Sequence, residues 1–434
     1  MKKMNTLRAT VVAAVLATTS AVWATDGYFP HGYGMQSLGM GGASVAVTGN
    51  TFAGANNPAL AAFAGNRYEI GANMFMPKRG ASRTGAGPMD GNVESGSSSF
   101  LVPEFGYSRQ LDAKTAVGLT VYGNGGMNTD YAATGITCAT DPGDFENTNY
   151  SANMLCGTTK LGVNLMQLIV APTFAYKLSE TSAVGVSPLL VYQQFKASGL
   201  QAFAGNPQWT GQNTPSGNTT DNGNDSSKGL GVRLGYTSVL NDAVRFGVSY
   251  SPKINMGRFK KYSQLFAEGG DFDIPENYAI GVTIQAAPAV LLAVDYQRIN
   301  YSDVKAIGNQ MTPSGPFPLG SDNGPGFGWA DLNVFKLGVE WKQSQNLTVR
   351  AGYNHTNNPV SGPNVTFNII APGVITDHYT LGATYKLDDK SDLTFAYMYA
   401  PKNTVTGTSG LNPAATETIY MSQQSLGVQY SWKF

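Results

Sequence analysis

The last ten residues, Ser425 to Phe434, read Ser-Leu-Gly-Val-Gln-Tyr-Ser-Trp-Lys-Phe. Leu426, Val428, Tyr430, Trp432 and Phe434 share one parity; Ser425, Gly427, Gln429, Ser431 and Lys433 share the other. Successive side chains of a strand point to opposite faces, so this segment is a strand with one wholly apolar face and one small or polar face. A soluble sheet can contain one such strand. This one is terminal, ends on an aromatic ring and has many counterparts upstream. Together these properties fit a closed membrane barrel, whose strands show apolar side chains to lipid and polar ones to the lumen.

The counterparts are clean. Phe335, Leu337, Val339 and Trp341 oppose Lys336, Gly338, Glu340 and Lys342; Leu347, Val349, Ala351 and Tyr353 oppose Thr348, Arg350, Gly352 and Asn354. Charges fall on the non-lipid parity, as they must where a midplane charge facing lipid costs about 2–4 kcal/mol. Fourteen such segments run from 66–77 to 418–434, among them 114–124, 243–257 and 391–401. Short connections such as Ser179-Glu180, Asn241-Asp242 and Ala287-Pro288 alternate with long ones near 78–98, 125–160, 198–227, 258–274, 303–330, 357–374 and 402–417. Outer-membrane barrels alternate short periplasmic turns with long extracellular loops in this way. The expected fold is all-β, a 14-stranded antiparallel transmembrane β-barrel over 66–434. Its even strand count places both termini in the periplasm. No fixed repeat period suggests a solenoid or propeller.

Charged residues make up 13% of the chain, against ~25% in soluble globular proteins. Residues 1–24 read as a secretion signal: Lys2, Lys3 and Arg8 are followed by the apolar run Val11 to Ala17 and a cleavage site after Val22-Trp23-Ala24. The full chain holds 28 basic and 28 acidic residues. Removal of Lys2, Lys3 and Arg8 leaves an acidic excess of three, which argues against a nucleic-acid partner. No cofactor or metal site is expected. Cys138 and Cys156, the only cysteines, read as one disulfide in an exported chain.

Residues 25–65 lack strand alternation. Gly39, Gly41, Gly42, Ala43, Gly54 and Ala55 dominate, and Asn57-Pro58 blocks regular pairing. Leu38, Met40, Val45, Val47, Phe52, Leu60 and Phe63 give the segment something to bury, so it is expected to fold as a plug, or hatch, in the lumen.

A leader, a Gly/Ala-rich plug carrying Asn57-Pro58-Ala59, fourteen strands and a terminal Phe434 resemble the FadL-type outer-membrane transporters of long-chain fatty acids, a family that includes importers of aromatic hydrocarbons. Val102-Pro103 and Tyr122-Gly123-Asn124-Gly125-Gly126 are also similar to that family. The long second loop with two cysteines departs from it. The resemblance implies passive import of a hydrophobic ligand, long-chain fatty acid or hydrocarbon. The ligand would pass from a groove among the extracellular loops to a pocket beside the mature N-terminus. It would then leave sideways into the membrane through a wall kink. The terminal strand likewise resembles the signal that outer-membrane barrels present to their assembly machinery, so the expected partners are that machinery, outer-membrane lipid and lipopolysaccharide.

Thr25, Asp26, Gly27, Tyr28 and Phe29 are by this resemblance candidates for the inner pocket. Phe203, Trp209, Leu265 and Phe266 are candidates for the outer groove or, equally, interface anchors. Gly123, Gly125 and Gly126 either kink the wall or begin a loop. Glu69, Arg233, Arg245, Asp295, Lys336, Glu340 and Arg350 have lumen parity. They either bind a carboxylate headgroup or, as the stronger reading, pair with one another and the plug. An aqueous porin is the alternative transport reading. A hydrolase using His355 or His378 with Asp377 lacks an identifiable serine.

Overall fold

The computed structural model describes residues 26–133, 135–138, 150–204, 217–312 and 317–434. The leader 1–24, Thr25 and Trp209 lie outside the described residues. The strands are β1 (Arg67–Thr84), β2 (Gly91–Glu94), β3 (Phe100–Gln110), β4 (Thr115–Asn128), β5 (Ile136–Cys138) and β6 (Tyr150–Ala152). Next come β7 (Gly162–Lys177), β8 (Ser182–Ser198), β9 (Asp225–Asn241), β10 (Val244–Ser251), β11 (Asn277–Ala287) and β12 (Val290–Ile299). The last five are β13 (Leu332–Lys342), β14 (Leu347–Thr356), β15 (Asp377–Lys386), β16 (Ser391–Thr408) and β17 (Thr416–Lys433).

β1, β3, β4 and β7 to β17 pair antiparallel in sequence order, and β17 closes the ring on β1, from Arg67 opposite Lys433 to Thr84 opposite Thr416. This is a closed 14-stranded barrel. β2 is a short flap on the far end of β1, and β5–β6 form a small hairpin in a long loop. Alternation decides which face meets lipid: Phe335 and Leu337 are 54% and 49% exposed, while Lys336 between them is 6% exposed. At the short-turn end Tyr68 meets Trp432 at 5.1 Å and Tyr107 stacks on Phe434 at 6.0 Å, the aromatic girdle expected at a membrane interface.

Several strand limits differ from those read in the sequence; β4, read as 114–124, runs on to Asn128. β1 continues to Thr84 and β16 to Thr408 because their outer ends keep pairing with β17 above the apolar belt, where polar residues no longer alternate with apolar ones. The segment 243–257 shortens to β10, because Pro252 has no N–H to donate to a ladder. The chain then turns to bridge Gly229 at Met256 and Ile274 at Ile254.

Residues 26–65 fill the lumen. A helix at Met35–Leu38 and 3-10 turns at Phe52–Gly54 and Pro58–Phe63 are its regular pieces. Asn57 organises the last of them: its Oδ1 accepts the Ala59 N–H (3.1 Å), and its Nδ2 donates to the carbonyls of Val45 (2.8 Å) and Tyr236 (3.0 Å). Pro58 suits the first helical position, where no N–H is required. Wall carboxylates hold the plug: Asp295 accepts the N–H groups of Ser44 (2.6 Å) and Val45 (2.9 Å), and Glu69 accepts the backbone N–H (2.9 Å) and the hydroxyl O–H (2.7 Å) of Thr51. Gly42 has φ 84°, and a Cβ there would sit 1.6 Å from the His31 carbonyl oxygen, so only glycine fits this turn.

Above the plug the long loops form a roof. Cys138 and Cys156 are disulfide-bonded. Arg83 and Glu417, both fully buried, pair at 2.6 Å where β1 meets β17.

A candidate ligand path and a gap in the wall

The inner end of the site is built by the first described residues. Asp26 to Phe29 close a tight turn, with Asp26 N donating to Phe29 O at 2.9 Å and Gly27 at φ 68°. Tyr301 fastens it: its Oη donates to Asp26 O (2.7 Å) and accepts from Tyr28 N (3.1 Å) and Phe29 N (3.3 Å). The Tyr28 ring is buried against Tyr301 (5.2 Å), Phe272 (6.1 Å) and Trp329 (6.3 Å). The Asp26 carboxylate accepts from Asn354 Nδ2 (3.3 Å) and lies 3.9 Å from Lys336 Nζ. Burial pushes its pKa up to about 6, against the opposing pull of Lys336 and Asn354. His31, stacked on His378 at 5.4 Å, is held neutral: burial first, and the Lys336 charge second, push it down to about 3.

The turn lies against an interruption in the wall. β3 and β4 pair from Gln110 opposite Ala116 only as far as Phe105 opposite Val121. Beyond that, β3 from Phe100 to Glu104 keeps β1 alone, and β4 from Tyr122 to Asn128 keeps β7 alone. A bulge bends β4 at this place: Gly123 faces Leu168 and Gly125 faces Gln167, leaving Asn124 as the extra residue. The Asn124 side chain donates to Gln167 Oε1 (3.0 Å) and accepts from Tyr33 Oη (3.1 Å). Gly126 N donates to Tyr28 O (3.2 Å), and a Cβ on Gly125 would stand 2.2 Å from that oxygen. Gly123, Gly125 and Gly126 therefore lie inside a strand rather than at the start of a loop, and Tyr28 stoppers the gap. Exposed Met74 and Leu101 flank it on the lipid side.

At the long-loop end Phe203, Leu265 and Phe266 come together around a cavity of about 40 Å3. Leu155, Phe195, Phe327 and Phe367 complete much of its lining, and among the described residues none that lines it is ionisable. Rings connect it to the gap: Phe195 meets Phe266 at 4.6 Å, Phe266 meets Phe272 at 5.0 Å, and Phe272 meets Tyr28. Phe272, Tyr301, Phe327 and Trp329 escape sequence reasoning because they sit in loops, where parity carries no signal, and Phe195 because its buried parity in β8 marks only a lumen residue.

The lumen charges mostly hold the plug and one another. Arg233 donates to the carbonyls of Gly54 and Ala55 and to Tyr122 Oη. Lys336 donates to His31 O (2.9 Å) and Gln297 Oε1 (2.8 Å). Arg350 pairs with Glu340 at 2.8 Å, and Arg245 covers the Phe63 ring at 4.6 Å. A polar cavity of about 310 Å3 at the short-turn end is lined by plug residues such as Gln36 and Thr48 and by Arg245, Glu340 and Lys342; Gln36 Nε2 donates to Glu340 Oε2 (3.2 Å). His355 and His378 do not share a site: His378 is buried in the lumen, whereas His355 is exposed beside Asp377 (2.9 Å). Among the described residues no group of three or more His, Cys, Asp or Glu side chains could hold a metal ion.

A family model described as "Outer membrane protein transport protein (OMPP1/FadL/TodX)" matches residues 17–434. The chain belongs to that family. The toluene transporter TodX of Pseudomonas putida is 21% identical and superposes with a TM-score of 0.66, over 93% of this chain and 99% of that one. A Pseudomonas aeruginosa FadL homologue is 14% identical at TM-score 0.66, over 94% and 100%. The toluene transporter TbuX of Ralstonia pickettii is 16% identical at TM-score 0.61, over 93% and 99%. No curated protein matches by sequence. The plugged barrel is thus an outer-membrane transport protein.

Proposed function

We propose that this transporter imports uncharged hydrophobic molecules of arene size and releases them sideways into the outer membrane. The long loops face the exterior and both termini face the periplasm. A ligand enters the apolar cavity at Phe203 and Phe266, whose walls part to admit it, because about 40 Å3 is well below the roughly 150 Å3 of an apolar cavity that holds benzene. It follows the rings to Tyr28 and leaves between β3 and β4 once Tyr28 moves. The single observation that carries this reading is the stretch over which β3 and β4 do not pair, against which the N-terminal turn is bonded at Gly126. Burial of apolar surface at about 25 cal/mol per Å2 drives entry, and the hydrocarbon core receives the ligand without an energy source. The apolar lining that the described residues give the outer cavity favours a neutral ligand, and TodX and TbuX are described as toluene transporters.

A long-chain carboxylate is the second reading, and Arg79 favours it. This buried guanidinium donates to the carbonyls of Ser97 and Asn128 beside the gap and has no carboxylate within 4.0 Å among the described residues. Uptake of labelled toluene and oleate separates the two, in cells with intact lipopolysaccharide that lack their own transporters of this class. Toluene uptake above the empty-vector rate, with oleate at that rate, supports the neutral-ligand reading. Oleate uptake alone directs attention to Arg79. A large steady current through the protein in planar bilayers would instead indicate an aqueous pore.

A further inference from the structure

We propose that Tyr301 is a positioning residue that couples occupation of the outer cavity to release of the N-terminal stopper. This rests on the sideways exit proposed above and names the part that controls it.

Tyr301 begins a short, internally bonded unit. Its carbonyl accepts the Val304 N–H (3.2 Å), and the Val304 carbonyl accepts the N–H groups of Ile307 and Gly308 (2.8 Å each). The Ala306 and Ile307 carbonyls accept the N–H groups of Phe327 (3.3 Å) and Trp329 (3.0 Å). One end of this unit is cavity wall, since Ala306 and Phe327 both line the cavity. The other end is the Tyr301 hydroxyl, which makes all three of its hydrogen bonds to the backbone of Asp26, Tyr28 and Phe29. The Trp329 ring packs on both Tyr301 (5.3 Å) and Tyr28 (6.3 Å).

Two features make the unit a lever rather than a fixed post. The cavity, at about 40 Å3, is well below the roughly 150 Å3 of an apolar cavity that holds benzene, so a ligand must displace its walls. Among the described residues, one backbone bond joins Tyr28 of the turn beyond Tyr301 to the wall gap, Gly126 N to Tyr28 O. Displacement of Ala306 and Phe327 therefore draws the hydroxyl away from the turn, and Tyr28 O then leaves Gly126. The rest of the plug is bonded separately through Asp295, Glu69 and Asn57, so it stays in place. Differential interaction of the ligand with the two arrangements is what allows binding to shift them.

Hydrogen exchange read by mass spectrometry on the full-length protein in lipid nanodiscs tests this. The comparison is between the native protein and Tyr301→Phe, each with and without toluene. Tyr301→Phe keeps the ring and removes the bonds. Its amides at 26–29 and 122–128 are expected to exchange about tenfold faster than native, which is the scale of one to two lost hydrogen bonds, with 58–63 unchanged. Toluene is expected to speed the same amides in the native protein and to add little in the variant. A purely structural role would leave the toluene response intact. Equal toluene responses in both proteins, or native-like exchange in Tyr301→Phe, overturn the proposal. Should the variant fail to fold, the native protein decides alone: no change at 122–128 on saturation with toluene overturns it. Deletion of Asn124 in parallel keeps the two ideas apart. If its toluene uptake equals that of the native protein, the sideways exit fails, whatever Tyr301 does to the exchange.

Discussion

Replacing Arg83 by Met tests whether the loop roof is held by one buried ion pair. Arg83 Nε and Nη2 donate to Glu417 Oε1 at 2.8 and 2.6 Å, and Nη2 also donates to the carbonyl of Met154, two residues from Cys156 (2.6 Å). Glu417 further accepts the hydroxyls of Ser409 (2.9 Å) and Thr366. Neither charged side chain is exposed, so water cannot solvate whichever remains. Arg83→Met leaves a buried carboxylate unpaired and is expected to cost about 3–5 kcal/mol; Glu417→Met leaves the guanidinium and costs a similar amount. The double variant removes both charges but strands the Met154 carbonyl and two hydroxyls, a residual of about 1–3 kcal/mol. The singles are therefore strongly non-additive, and the double is more stable than either. Equilibrium urea unfolding in phospholipid vesicles measures this cycle, and hydrogen exchange at 150–156 and 409–417 localises it. A loss below about 1 kcal/mol in Arg83→Met, or additive singles, would refute the claim that this pair ties β1, β17 and the loops together.

Asn57→Ala removes two donors to buried carbonyls and the acceptor for Ala59 N, and is expected to destabilise the plug locally by about 1–3 kcal/mol, read as faster exchange at 58–63 with the barrel unchanged. Phe266→Ala removes one wall of the outer cavity and its contacts with Phe195 and Phe272; toluene binding measured by calorimetry should weaken by about 2–10-fold, the worth of one aromatic pair at about 0.5–1.5 kcal/mol. Asp271, in the loop after Phe266, has its pKa pushed up to about 6 by burial first and by Asp273 second. A raised carboxylate favours the folded loop below its usual pKa, and that contribution is lost as pH rises through about 6. Residues 264–274 should thus exchange more slowly at pH 5 than at pH 7, after correction for intrinsic rates; the opposite order would mean that Asp271 is stabilised as an anion.

The barrel was legible because lipid and lumen impose a period of two on every strand. Leu426 and Val428 are exposed while Ser425 and Gln429 are buried, as the terminal alternation requires. Legibility failed where the constraint lapses. Above the apolar belt, the outer ends of β1 and β16 no longer need apolar side chains on their outer face. Gly123, Gly125 and Gly126 were ambiguous because a bulge and a loop both use glycine; only the pairing of Asn128 with Asn164 settles that the strand continues. Phe203 and Phe266 could be singled out as loop aromatics. Tyr301 could not, since its role depends on a hydroxyl meeting a turn 275 residues away along the chain. The lumen charges show why parity alone does not assign function: Arg233 and Lys336 face inward, yet their donors end on plug carbonyls and neighbouring side chains.

Deletion of Asn124 is the most direct test of sideways release. It removes the one unmatched residue of β4, so Gly123 and Gly125 become neighbours opposite Leu168 and Gln167, and every later pair keeps its partner. The strand straightens and can continue its ladder with β3 across the gap. Toluene uptake is measured in cells with intact lipopolysaccharide, with membrane insertion checked by heat-modifiable migration. The native protein is expected to take up toluene above the vector rate, and the deletion variant, equally inserted, to return to that rate. Undiminished uptake by the inserted variant would contradict exit through the wall.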